Sequence, residues 1–382
     1  MHRIPIILEQ KNLITGSIFG LAGLLGWISF EARSVGTTLV AILLFCVGFI
    51  ATTTAKKTFL VLGATAFTLA IGEFSLALLF QREPLLISPE SSYAKSYYWT
   101  NSDLGSQAYP GRHTSKKVTA DGQLVYDVVY SIGPDGFRMT EVDEDTARIH
   151  INFFGCSLMF GEGLNDKQTL PYFVHAANHR FSVKNFGWHG YGVHQALRIL
   201  ESNRDTRGDI NVLLTSPWHA DRSACVPDYS NGSPRYRLLD NGSLVFDGSC
   251  GMKGSFLGAV LERSNIYQLI RFAFRPSQDH QIDLYLAIID RIKVLSTARD
   301  QRFVVGYVKA EDAWFRGHYS NQKILERFKE MGIEVIDLTL ADSAVAVHRD
   351  YYIHALDKHP SAKANEARAK LIVTYLEESY NR

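Results

Sequence analysis

Residues 149–163 read IHINFFGCSLMFGEG: a short, mostly apolar run, a glycine, then a serine that opens an apolar helical pattern. A strand of six residues bounded by glycine, followed at once by a helix, is the opening unit of a parallel sheet. The same alternation continues to the C-terminus. Apolar strands are expected at 149–154, 182–186, 210–215, 303–307 and 333–336. Helices are expected at 170–179, 193–203, 256–274, 282–298, 322–331 and 361–380. Five strands with helices between them predict an α/β fold, three layers deep, with a mainly parallel sheet covered on both faces.

Ligands of such sheets bind beyond the carboxyl ends of the strands, and unusual sequence gathers there. The first strand ends in Gly155-Cys156-Ser157, the second in Asn185-Phe186-Gly187-Trp188-His189-Gly190-Tyr191-Gly192, and the third in Pro217-Trp218-His219-Ala220-Asp221. Asp357-Lys358-His359-Pro360-Ser361 precedes the last helix. A serine between strand and helix projects its hydroxyl from a tight turn, where backbone N–H groups can stabilise an oxyanion. It needs a base to become a nucleophile, and His359, oriented by Asp357, is the candidate. Met159 occupies the position of the second glycine in a G-x-S-x-G elbow, so the pattern is not that of an α/β-hydrolase.

From residue 149 to 376 the chain resembles the SGNH (GDSL-type) hydrolase superfamily, with its flavodoxin-like sheet. Gly155-Cys156-Ser157 matches the nucleophile block, with Cys156 in place of the usual Asp. Gly190 matches the glycine whose N–H serves the oxyanion, and Asp357 and His359 match the final block. The third-block asparagine is replaced by His219, whose neutral ring offers one N–H donor for the oxyanion hole. One residue separates Asp357 from His359 where the family has two, which leaves Asp350 as an alternative orienting acid. Trp188, Tyr191 and Trp218 are candidates for stacking on sugar rings, or for plain packing. The resemblance implies a serine esterase or deacylase acting on acylated, above all acetylated, carbohydrate. It also leaves room for an acyltransferase working with envelope-polysaccharide machinery, and for an inactive glycan-binding scaffold. Neither a cofactor nor a metal is expected. His175, His179, His189, His194, His348 and His354 show no metal-ligand spacing and are set aside as surface or supporting groups.

The rest of the chain suggests where such a domain sits. Residues 13–30, 35–54 and 59–80 are three apolar runs near the ~20 residues that span a bilayer. Arg3, Lys11, Lys56 and Lys57 put the N-terminus and the second connection in the cytoplasm by the positive-inside rule. The expectation is a three-span anchor over 1–85 in a bacterial inner membrane, a β-rich leader over 86–147, and an extracytoplasmic domain over 148–382. Glu73, toward the outer end of the third run, is expected to reach interfacial water. Cys225 and Cys250 flank a hairpin signal, DNGSLVFDGSC, and either pair or remain thiols. With 40 basic against 39 acidic residues, the chain is no polybasic nucleic-acid binder.

Overall fold

The structure, a computed structural model, describes part of 65–76, residues 97–140 apart from three positions, 149–251, 261, 264–340 and 349–380. The first two apolar runs and most of the third lie outside the described residues. Among the described residues no helix is long and apolar enough to cross a membrane. Two compact units are distinguished, 1–83 with 254–275, and 84–253 with 276–382. The expected leader thus belongs to the same unit as the α/β domain.

In the larger unit, β1 (Tyr98–Trp99) pairs with β2 (Gln107–Ala108), and β3 (Gly111–Val118) forms a hairpin with β4 (Leu124–Ile132). The central sheet follows: β5 (Ile149–Phe154), β6 (Phe181–Asn185) and β7 (Ile210–Thr215). A second hairpin joins β8 (Pro234–Leu238) to β9 (Leu244–Ser249). The sheet resumes with β10 (Arg302–Tyr307) and β11 (Glu334–Asp337), and the pair β12 (Tyr352–His354) and β13 (Asp357–Pro360) closes the set. The five central strands are parallel, in the order β11-β10-β7-β5-β6. This is the doubly wound order whose direction reverses beside the first strand, and the crevice there is a binding position.

Eight helices are numbered in chain order: α1 (Ser157–Phe160), α2 (Leu170–Ala177), α3 (Val193–Glu201), α4 (His219–Ser223), α5 (Asn265–Ala273), α6 (Gln278–Thr297), α7 (Asn321–Glu330) and α8 (Ala362–Tyr380). All but α5 belong to the larger unit. Alternate strand residues feed two separate cores. Phe154, Leu213, Phe303 and Val305 pack with Leu197 of α3, Tyr285 and Ile289 of α6 and Phe328 of α7. Phe153, Val212, Leu214 and Val304 pack with Val174 of α2 and Ile372 and Leu376 of α8. Every residue of β7 is buried, as expected of a strand covered on both faces.

Arg138 ties the leader to the sheet. Its backbone bridges Ile132 and Asn185. Its buried guanidinium donates to the carbonyls of Phe160 (2.9 Å), Gly161 (2.8 Å) and Leu164 (2.6 Å) and to Asp166 Oδ1 (2.9 Å). Cys225 and Cys250 are disulfide-bonded, resolving the two readings of those thiols. The bond joins the segment after α4 to the end of the β8–β9 hairpin.

In the smaller unit, Glu73 is 3% exposed and accepts from the backbone N–H groups of Asn265 (2.7 Å) and Ile266 (3.2 Å) and from Ser264 Oγ. It caps α5 rather than reaching interfacial water, because three donors at a positive helix end satisfy a buried carboxylate.

Candidate active site

Ser157 is the first residue of α1, directly beyond β5, with Gly161 in the left-handed conformation closing that single turn (φ 81°). The loop after β6 packs hard against this turn. A Cβ on Gly187 would stand 2.6 Å from the Phe160 nitrogen, so only glycine allows the approach. Asn185 at the end of β6 secures the same contact, donating to Met159 O (2.9 Å) and accepting from Gly187 N–H (2.9 Å).

His359 Nε2 lies 2.8 Å from Ser157 Oγ, and His359 Nδ1 lies 2.5 Å from Asp357 Oδ1. The one-residue spacing follows from β13, because residues i and i+2 of a strand point to the same side. Asp350 is exposed and pairs with Lys363 (3.2 Å), away from the His359 ring. With Asp357 ionised, Nδ1 carries the ring proton, leaving Nε2 to accept the serine O–H.

Three further side chains complete the charge distribution. Lys117, from β3, donates to Asp357 Oδ2 (2.6 Å) and stands 3.7 Å from Glu162 Oε1. Glu162 is 2% exposed, and its Oε2 lies 2.7 Å from His189 Nδ1 and 3.2 Å from His359 Nε2. His189 Nε2 in turn meets Tyr97 OH (2.7 Å). A single chain of polar contacts therefore runs from Asp357 through His359, Glu162 and His189 to Tyr97. Burial opposes ionisation of Glu162, but His189, His359 and Lys117 outweigh it and bring its pKa to about 2. Burial likewise opposes a charge on His359, and the carboxylates of Glu162 and Asp357 reverse that and raise its pKa. Glu162, Asp357 and His359 hold potential metal-ligand atoms within 4.8 Å of one another. The Lys117 ammonium already sits against both carboxylates as their counter-cation.

Two clefts meet at this couple, sharing Ser157, His359 and Arg222. One, of about 510 Å³, is lined by Trp188, His189, Gly190, Tyr191, Gln195 and Tyr229 among others. The other, of about 1060 Å³, includes Trp218, Lys117, Lys358 and Arg368 in its wall. Gly190 adopts φ 71°, and among the described residues its N–H has no acceptor. Trp188 and Tyr191 are each 2% exposed, tied to Ser106 by Nε1 (3.1 Å) and OH (2.7 Å), and belong to the cleft wall. Trp218 is only partly buried.

His219 lines neither cleft. As the first residue of α4, which packs on α6, it turns inward, and its Nδ1 meets Thr215 Oγ1 (3.0 Å). Burial holds its pKa well below the usual histidine range, and among the described residues its Nε2 has no hydrogen-bond partner. The free Cys156 thiol is buried beside Arg222, not His359. Sequence reasoning missed Lys117, Glu162 and His189. The only available signal was Glu162, an acid between two glycines five residues after the serine.

No protein-family model matches the chain, and comparison with curated proteins finds no match. Among solved structures, the chain is similar to a lipolytic protein of the G-D-S-L family from Veillonella parvula, at 14% identity and TM-score 0.36, over 62% of this chain and 100% of that one. It is similar to a psychrotrophic esterase from a Pseudoalteromonas species (12%, TM-score 0.35, 62% and 100%). It is similar too to an acetylxylan esterase from Geobacillus stearothermophilus (11%, TM-score 0.36, 62% and 95%). These neighbours are hydrolases, and the likeness is one of fold alone.

Proposed function

We propose that the protein is a serine ester hydrolase that removes acyl groups through a covalent acyl-enzyme. The observation that carries this reading is the continuous Ser157–His359–Asp357 hydrogen-bonded series at 2.8 and 2.5 Å, opening into two clefts. Ser157 Oγ attacks the ester carbonyl while His359 Nε2 takes its proton, and the C–O bond to the alcohol breaks as Nε2 returns that proton to the leaving oxygen. Water then repeats the sequence, releasing the acid and restoring Ser157. The N–H groups of Ser157 and Gly190 are the proposed oxyanion donors, aimed where negative charge develops. Lys117 keeps Asp357 ionised, so that Nδ1 retains its proton.

The proposed substrate is an acylated carbohydrate, and the proposed setting is the outer face of a bacterial inner membrane, with the N-terminal region as anchor. Three apolar runs and the placing of Arg3, Lys11, Lys56 and Lys57 between and before them support the setting, as does the Cys225–Cys250 bond, since such bonds persist in oxidising compartments. The test is hydrolysis of 4-nitrophenyl acetate by the detergent-solubilised chain. The expected result is turnover lost at least about 10³-fold in Ser157→Ala; equal rates in the two would refute the proposal.

A further inference from the structure

Arg368, on α8, lines the larger cleft with Ser157 and is 8% exposed. Its Nε donates to Leu338 O (2.9 Å), while Nη1 is buried and has no acceptor among the described residues. Among the described residues no carboxylate pairs with it. A buried guanidinium normally has a fixed counter-charge, because desolvating it unpaired is costly. Lys358 belongs to the same wall, its Nζ 4.8 Å from the Tyr352 ring and, among the described residues, without a carboxylate partner. Of the other basic groups of the cleft, Lys117 pairs with Asp357 and Lys309 with Asp337 (2.7 Å), while Arg222 donates to Tyr191 O (2.6 Å) and the Tyr229 hydroxyl (3.2 Å) and, among the described residues, also has no carboxylate partner. Among the described residues, the acidic lining residues besides Asp357 are Glu311 and Asp312, both exposed.

We infer that the larger cleft is an anion subsite, in which Arg368 and Lys358 bind a carboxylate or phosphate carried by the alcohol portion of the ester. The inference rests on the reading of Ser157 as the acyl acceptor, and it narrows the substrate to an acylated anionic compound such as a uronic-acid or phosphate-bearing glycan. The Arg368 guanidinium suits either group, since both offer charged oxygens to a cationic N–H donor. The larger volume leads to the alcohol portion because a glycan outsizes the acyl group it carries. Burial pushes the Arg368 pKa down only to about 10, so the group stays charged at neutral pH.

The test compares aryl acetyl esters whose leaving groups differ in charge, 4-acetoxybenzoate and 4-acetoxyphenyl phosphate against neutral 4-acetoxybenzamide, each rate taken relative to its uncatalysed hydrolysis, with the full-length chain. The expected kcat/KM preference for the anionic esters is at least about tenfold, the scale of one charge-assisted hydrogen bond. It should shrink at high salt and collapse in Arg368→Gln and in the surface variant Lys358→Gln. The two anionic esters separate a carboxylate site from a phosphate site. Equal kcat/KM for charged and neutral esters in the wild type overturns the inference while leaving the esterase reading intact, as does a preference unchanged in both variants. If no ester is turned over, the esterase reading fails instead. The subsite is then decided by calorimetric binding of 4-hydroxybenzoate and 4-hydroxyphenyl phosphate against 4-hydroxybenzamide to Ser157→Ala, where equal affinities overturn it.

Discussion

Replacing Glu162 by Gln should let the enzyme work at lower pH. Glu162 Oε2 stands 3.2 Å from His359 Nε2, and the Gln side chain keeps an oxygen for the His189 Nδ1–H while removing the charge. The attraction between a carboxylate and an imidazolium at that distance is about 1.3 kcal/mol even at the dielectric of water, and about 5 kcal/mol at an effective dielectric of 20. The lower figure alone is about one pH unit. The His359 side chain is 21% exposed, so the true value lies above that floor. The sign follows from the role of the ring. His359 must be neutral to accept the serine proton, and Glu162 raises its pKa, so the base form appears only at higher pH in the wild type. Without Glu162, Lys117 continues to oppose protonation, and the acid limb of kcat/KM should move down by at least about one pH unit. The assay is kcat/KM for an activated acetyl ester from about pH 5 to 9 in both proteins. An acid limb that stays in place, or moves up, would refute this account of Glu162.

Other outcomes follow from the same geometry. Glu162 and Asp357 both have depressed pKa values in the folded protein, so the stability they contribute is present above their ordinary 4.5 and 3.8 and is lost as pH falls through about 2 for Glu162 and lower for Asp357; acid titration of unfolding should steepen across that window, and less so in Glu162→Gln. Reducing Cys225–Cys250, which closes a separation of 25 residues, should cost about 3.5 kcal/mol, read as a lower Tm with reductant, and an unchanged Tm would contradict it. Arg138→Met removes the shared donor of three carbonyls and Asp166, and should destabilise the larger unit by about 3–5 kcal/mol in chemical denaturation, with a loss below about 1 kcal/mol counting against the latch. His219→Leu should leave kcat/KM within about tenfold, whereas a loss of about 10²–10³-fold would restore His219 as an oxyanion donor.

The layered sheet was legible because its signals are local. Each central strand is a short apolar run ending near glycine or polar turn residues, and the observed β5 and β7 coincide with the runs at 149–154 and 210–215. The couple of Ser157 and His359 was legible too, since both blocks carry short patterns next to a helix start. What was hidden depends on contacts between distant segments. Lys117 reaches Asp357 across 240 positions, from a strand whose sequence, GRHTSKKV, reads as an ordinary polar edge. His189 was set aside for lack of a metal-ligand pattern, yet its partner is a carboxylate from the turn after α1, with α2 and β6 between them in sequence. His219 misled in the opposite direction. Its block aligned with an oxyanion donor, but the register of α4 turns the ring toward Thr215 and α6. The shortened Asp357–His359 spacing looked like a defect only until β13 supplied a strand to carry it.

The central claim is that Ser157 is a nucleophile made reactive by His359. Its most direct test is covalent labelling of the intact chain with a fluorophosphonate, followed by peptide mass spectrometry. The account predicts one adduct, on Ser157, forming quickly in the wild type and at least about 10³-fold more slowly in His359→Gln. An unlabelled Ser157, or labelling at the same rate without the histidine, would contradict it.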